Sequence, residues 1–302
     1  MATAVSPRPP VDLREPRSWR SAKSRIATTL MFIAFAIVII PLGFVLYTVI
    51  SKGVSAISGR FLTSDIPFNV APVSVGGIGP AIVGTLLITA LATVIAVPVG
   101  ILAAIYVNEY GGNRLLTRII RFMADVMTGV PSIIMGLFIY SIYVVHLGLA
   151  GYSGLAGALA LGCLMLPIVI RSSEEMLKLV PDALREASYA LGASKARVTM
   201  TVVLPAALSG ITSGALLAVA RIAGETAPLL FTIGGGLTAA NLNVFQGANT
   251  ALPLLIFQNA SSPYTGAQGR GWGAALTLVV IAFIMLIVAR LVTGRVAARS
   301  SQ

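Results

Sequence analysis

The sequence predicts an all-α polytopic membrane protein with six transmembrane helices. Three observations predict it. Hydrophobic residues fill 57% of the 302 positions and charged residues only 10%, against roughly 45–50% and about 25% in soluble domains. Six segments approach the roughly 20 apolar residues that a spanning helix needs. Lysine and arginine are also divided unequally among the connections, as they are in membrane proteins with a fixed orientation.

The elements follow in order. Residues 1–25 form a Pro- and Arg-rich arm, read as cytoplasmic and basic. The apolar run 26–50 exceeds the 7–15 residues usual for a signal-peptide core, and no small-residue cleavage site follows it closely, so it is expected to remain as the first span. The further spans are expected over 80–106, 119–145, 154–170, 206–231 and 273–292, with a cytoplasmic tail over 294–302. Pro98, Pro131, Pro167 and Pro228 lie inside spans, and small residues recur from Gly154 to Gly162. Such residues let helices approach closely in lipid, where packing drives association.

Seventeen of the 21 basic residues fall in the arm, the second-to-third connection, the fourth-to-fifth connection and the C-terminal end. Lys52, Arg60 and Arg270 fall on the other side, and Arg221 lies inside the fifth span. This places both termini and the fourth-to-fifth connection in the cytoplasm. The net charge of +11 is then topology, not a nucleic-acid footprint. One cysteine, Cys163, and one histidine, His146, exclude an intrachain disulfide and most thiol- or imidazole-based metal and catalytic sites. They are read as a packed thiol and an interfacial imidazole, and no catalytic or metal residue is expected.

The fourth-to-fifth connection is expected to hold two short helices. Ser172 and Glu175 have capping-box spacing for the start of the first. Pro181 suits the first position of the second, and Gly192 the left-handed residue that ends it. Leu184, Ala187 and Leu191 share one side of that second helix, and Ala187, Ser188 and Ala190 keep it slim. A short, slender helix of this kind suits a groove in a partner protein, with Glu186 offering a charge; an amphipathic helix resting on headgroups is the alternative reading.

Glu186-Ala187-Ser188, three residues, Gly192, nine residues, then Val202-Val203-Leu204-Pro205 resembles the EAA motif of ABC-importer permeases, departing from it at Ser188 and Val202. The resemblance implies the type I ABC importer permease architecture. Glu186, Ala187, Ser188, Gly192, Leu204 and Pro205 would then belong to a coupling helix docked on a cytoplasmic ATPase. The chain has no phosphate-cradling G-x-x-x-x-G-K-[ST] loop of its own, so ATP and Mg are expected on that partner and no cofactor on this chain.

Arg221 and Glu225 interrupt the fifth span about 22 Å or more beyond its start at 206. A charge at such depth is costly and normally faces a water-filled path or a partner. Four residues apart on one helix, the two can pair. The competing readings are a self-neutralised structural pair and an anion path in which the forked, permanently charged Arg221 meets a tetrahedral oxyanion and Glu225 holds it in the absence of substrate.

The segment 221–232, together with 77–85, 129–138 and 166–171, is similar to the phosphate-transport branch of the ABC-importer permeases, over about 77–290. This implies a transmembrane domain over 77–293 and a role in phosphate translocation by alternating access in the cell membrane. It also implies transport roles for Arg221, Glu225 and Arg171, the last equally readable as an inner-surface anchor. The implied partners are a homologous second permease, two ATPase subunits, an extracytoplasmic phosphate-binding protein and membrane lipids. A permease for sulfate or molybdate, a membrane-embedded phosphate-ester hydrolase and a passive channel are the alternatives. The hydrolase would want clustered histidines, and the channel leaves the coupling motif unexplained.

Overall fold

The computed structural model describes residues 19–300, so most of the basic arm (1–18) and the last two residues of the tail lie outside the described residues. Among the described residues the chain is helical, with one isolated bridge between Gly234 and Asn249. It divides into two units after Thr48. The first is helical from Trp19 onward, as the start of α1 (Trp19–Gly53), a 35-residue helix that carries the first span. The helix as a whole is well over the roughly 20 residues needed to cross. Everything below concerns the unit from Val49 onward.

After α1 come α2 (Gly59–Thr63), capped by the Ser58 hydroxyl, which accepts from the Phe61 N–H at 3.1 Å, and α3 (Gly79–Ile105). A wide π turn, Tyr106–Tyr110, extends α3 into a 32-residue apolar span.

The third span departs from expectation. It consists of α4 (Leu115–Gly129) and α5 (Ser132–Ile139), the latter continued through a π turn into α6 (Val145–Leu147). The two halves meet at 110°. The cause is local: a residue before proline is pushed into extended geometry, and Val130, before Pro131, sits at φ −77°, ψ 129°.

The fourth span, α7 (Gly154–Lys178), starts on Ser153, whose hydroxyl accepts from the Ala156 N–H. It runs eight residues past the expected end. No separate helix begins at Ser172; its hydroxyl donates to the Val169 carbonyl within the same helix. No glycine or proline occurs between Pro167 and Pro181 to break the run, and Glu174 pairs with Lys178 along it at 2.7 Å.

The connection then holds α8 (Asp182–Ala190) and α9 (Lys195–Val198), followed by a π turn, Thr199–Val203, and α10 (Leu204–Ile222). Pro205 lacks an N–H and would crowd the carbonyl four residues back; the wide turn immediately before it relieves that crowding. The fifth apolar helix is therefore Lys195–Ile222, not 206–231. The chain leaves it through a turn, then forms α11 (Leu229–Thr232), a glycine-rich loop, α12 (Leu252–Ala260) and α13 (Thr265–Ser300). Among the described residues five helices can cross a membrane by length and composition, and the bent pair makes up to six.

α3, α7 and α10 pack around a shared core of Ile88, Ala92, Ala96, Leu161, Met165, Val169, Ala218 and Ile222, against which Leu229 and Leu254 also close. Alanine and glycine at the contacts bring the backbones together, as the small-residue run predicted. One such contact frames the site below. A Cβ at Gly136 would lie 2.5 Å from Pro228 Cα, so α5 touches the chain just past α10 only because that position is glycine. Gly136→Ala is expected to destabilise the permease by about 1–3 kcal/mol, as overpacking does, measured as a lowered thermal midpoint in detergent.

Candidate functional site

The two chain breaks meet. Met127, Thr128, Val130, Pro131 and Ser132 from the bend of the third span line a cavity of about 280 Å³ together with Leu164, Pro167 and Ile168 of α7 and Arg221, Ile222 and Glu225 at the end of α10. One water occupies roughly 30 Å³ of liquid, so the space holds a polyatomic anion with some of its hydration. Arg221 is exposed and Glu225 partly exposed toward it. Hydroxyls of Thr128 and Ser132 supply neutral polar groups, and Ser132 heads α5, whose first turn carries the positive end of a helix dipole.

The expected Arg221–Glu225 pairing along one helical face is not formed. α10 ends at Ile222, and Gly224 and Glu225 turn back with their N–H groups donating to the Arg221 and Ile222 carbonyls at 3.3 and 3.1 Å. Glu225 thus leaves the helix that would have set it one turn above Arg221. Among the described residues neither side chain has an ion-pair partner.

Arg171 is paired, by contrast. It meets Asp125 of α4 and, at 3.5 Å, Glu174 of its own helix. Glu174 is 2% exposed and also takes Arg121 at 2.9 Å and Lys178 at 2.7 Å. This network binds α4 to α7. Composition and spacing carry no signal for it, because Arg121 and Glu174 are 53 residues apart.

The surface helix α8 is exposed along nearly its whole length, including Leu184, Glu186 and Ala187, as is Leu191 just past its end. The Ser188 hydroxyl donates to the Leu184 carbonyl at 2.8 Å. Pro181 is the residue before the helix instead of its first. Gly192 ends the helix as expected, at φ +81°. Its N–H donates to the Tyr189 carbonyl at 2.9 Å and that of Ala193 to Ser188 at 3.2 Å, the double bond of a Schellman end. Leu204 and Pro205 open α10.

Arg185 of α8 is tucked in, its side chain 14% exposed. Its guanidinium donates to the Leu177 and Val180 carbonyls at 2.9 and 2.6 Å and to Glu109 at 3.1 Å. Glu109 is 5% exposed in its side chain and belongs to the end of the α3 span. The guanidinium therefore ties the surface helix to the ends of two spans. Arg185→Ala strands a buried carboxylate, which costs about 3–5 kcal/mol, and a lowered unfolding temperature in detergent is expected. Removing Glu109 as well should recover part of the loss, since the one carboxylate then left without Arg185 is the exposed Asp182, 2.9 Å from it in the native chain.

Arg270, counted in the sequence as a loop charge, is 1% exposed in α13. It donates to the carbonyls of Ala71 at 2.8 Å and of Phe68, Asn69 and Pro72 at 3.3 Å. It is a clamp on the loop before α3. The flanking Gly266 and Gly269, which leave room for Ala71 and Val73, are the signal that sequence reasoning passes over. Cys163 is partly buried, and His146 is exposed, with Nδ1 3.2 Å from the Ser141 carbonyl.

Comparison with known proteins agrees with this architecture. Residues 96–298 match the family model described as binding-protein-dependent transport system inner membrane component. The chain is 44% identical over 273 residues to phosphate transport system permease protein PstA 1 of Mycobacterium tuberculosis (strain CDC 1551 / Oshkosh), covering 90% of this chain and 89% of that one. It is 41% identical over 288 residues to the Yersinia pestis phosphate transport system permease protein PstA, covering 93% and 94%. Among solved structures, a bacterial alginate ABC transporter in complex with its pentasaccharide-bound periplasmic protein superposes with TM-score 0.63 at 15% identity, over 93% of this chain and 98% of that one. The inward-facing MetNI methionine ABC transporter gives 0.55 at 21% identity, over 73% and 94%. At these identities the two structures establish the fold.

Proposed function

Because the chain belongs to the binding-protein-dependent transport system inner membrane components, and within them to the PstA permeases, we propose that it is the permease subunit of an ATP-driven importer of inorganic phosphate. The carrying observation is the cavity at the junction of the bent third span and the broken end of α10, with Arg221 exposed to it and unpaired among the described residues. A guanidinium left without a carboxylate inside an apolar bundle is poised for an anion, and its fork matches a tetrahedral oxyanion. Ser132 and the first turn of α5 add donors on the facing wall. Glu225, released from the helix, supplies a movable counter-charge. A doubly charged anion needs a further cation, which a homologous second permease facing this wall would contribute.

Energy enters through α8. Its exposed face, with Leu184, Glu186 and Ala187, fits the groove of a separate ATPase, while Arg185 on the other face carries the motion into the ends of the α3 and α7 spans. Two ATPase subunits holding ATP and Mg close on nucleotide, the path opens to a phosphate-loaded extracytoplasmic receptor, and hydrolysis returns it inward. The charge asymmetry supports cytoplasmic ends for α1 and α13. In the purified complex, phosphate-loaded receptor is expected to raise ATP hydrolysis severalfold over empty receptor; equal hydrolysis with both would refute the coupling.

A further inference from the structure

The polar face of α4 has a use that the cavity alone does not exhaust. Thr128, Asp125, Arg121, Arg118 and Arg114 follow one another at intervals of three, four, three and four residues, so they lie on one side of the helix. Thr128 lines the Arg221 cavity. Arg114 is at the opposite end of α4, about 21 Å away. The stripe therefore runs from the cavity to the end of the bundle from which α8 projects.

Arg171 stands beside this stripe and is held by two carboxylates of different character. Glu174 is buried and shared with Arg121 and Lys178, which sets the orientation of the whole group. Asp125 is 61% exposed, and an exposed ion pair adds little stability and is easily exchanged. Ser172, next in the chain, sits against Gly214, seven residues before Arg221, so Arg171 lies about 10 Å inward of Arg221 along the bundle. Arg114 and Arg118 have no carboxylate partner among the described residues.

We propose that Arg171, Arg121 and the arginine stripe of α4 form an inward relay for the transported oxyanion, with Asp125 as the counter-charge that the oxyanion displaces. The proposal rests on the reading that an oxyanion crosses at Arg221. The exchange of arginine between substrate and carboxylate, expected at Arg221 and Glu225, is built one layer further in. Glu174 keeps the guanidinium aimed while Asp125 leaves, so an incoming phosphate takes over a preformed fork. Asp125 then returns and expels the anion toward Arg118 and Arg114. Phosphate oxygens on a lipid headgroup offer the same chemistry as the free ion, and the test separates the two.

Binding of labelled inorganic phosphate to the purified, nucleotide-free complex is measured in nanodiscs of neutral and of anionic lipid. Asp125→Asn removes the competitor and is expected to tighten binding about three- to fivefold, the weight of an exposed ion pair, in both lipids. Asp125→Ala should do the same, and adding Arg171→Gln should cancel the gain. Unchanged or weaker binding in Asp125→Asn and Asp125→Ala would overturn the relay, as would a gain that anionic lipid abolishes, which would assign the stripe to headgroups. Wild-type complex that imports phosphate without showing the gain on substitution refutes the relay alone; wild-type complex that imports none refutes the parent reading as well.

Discussion

Arg221→Gln is expected to lower phosphate uptake by the reconstituted importer about 10- to 100-fold, the worth of a hydrogen bond to a charged partner, while the permease still assembles with its partners. The side chain is exposed to the cavity and makes no ion pair among the described residues, so its removal breaks nothing that holds the bundle together. Glutamine keeps a polar side chain with a donor but loses the charge, the fork and part of the reach. Loss of uptake with an unchanged elution profile and thermal midpoint is the predicted pattern. Retained accumulation would take Arg221 out of the path; collapse of the complex would make it structural.

The second large effect concerns the end of α8. Gly192 lies at φ +81°, and a Cβ added there would find nothing within 4 Å, so a substitution meets no neighbour and is resisted by the backbone alone. An L-residue in left-handed geometry costs roughly 1–2 kcal/mol, more when β-branched. In Gly192→Val the Schellman bonds from Gly192 and Ala193 should open, shifting the helix end that carries Leu191. The expected result is a drop in ATPase affinity of about 5- to 30-fold, read as loss of the ATPase from the purified complex. Gly192→Asn, which tolerates the left-handed region, should retain it. Normal co-purification and full transport in Gly192→Val would count against α8 as the docking element.

The fold class is legible in the sequence because hydropathy needs only composition and length, and lipid imposes both. The Gly192 end is legible because a left-handed residue nearly demands glycine. Hydropathy does not report backbone breaks inside an apolar run. The third span looks continuous in sequence because Pro131 reads as a tolerated interior proline, although Val130 before it is driven out of the helix. The end of α10 is hidden because the stretch from Ile222 to Phe231 stays largely apolar while its backbone turns. That error carries into the site: pairing Arg221 with Glu225 assumes a helix that in fact stops between them. Arg171 stays open between transport and anchoring because its partner Asp125 lies 46 residues away, and tertiary ion pairs leave no local spacing. Arg270 is hidden for the same reason, its four acceptors being backbone carbonyls some 200 positions earlier.

The central claim is tested most directly by labelled phosphate uptake into proteoliposomes that contain the permease with its second permease and ATPase. The account predicts accumulation against a gradient only when ATP is on the ATPase side and loaded receptor is outside, with excess sulfate or molybdate failing to compete. Downhill phosphate flux without ATP, or uptake abolished by sulfate, would contradict it.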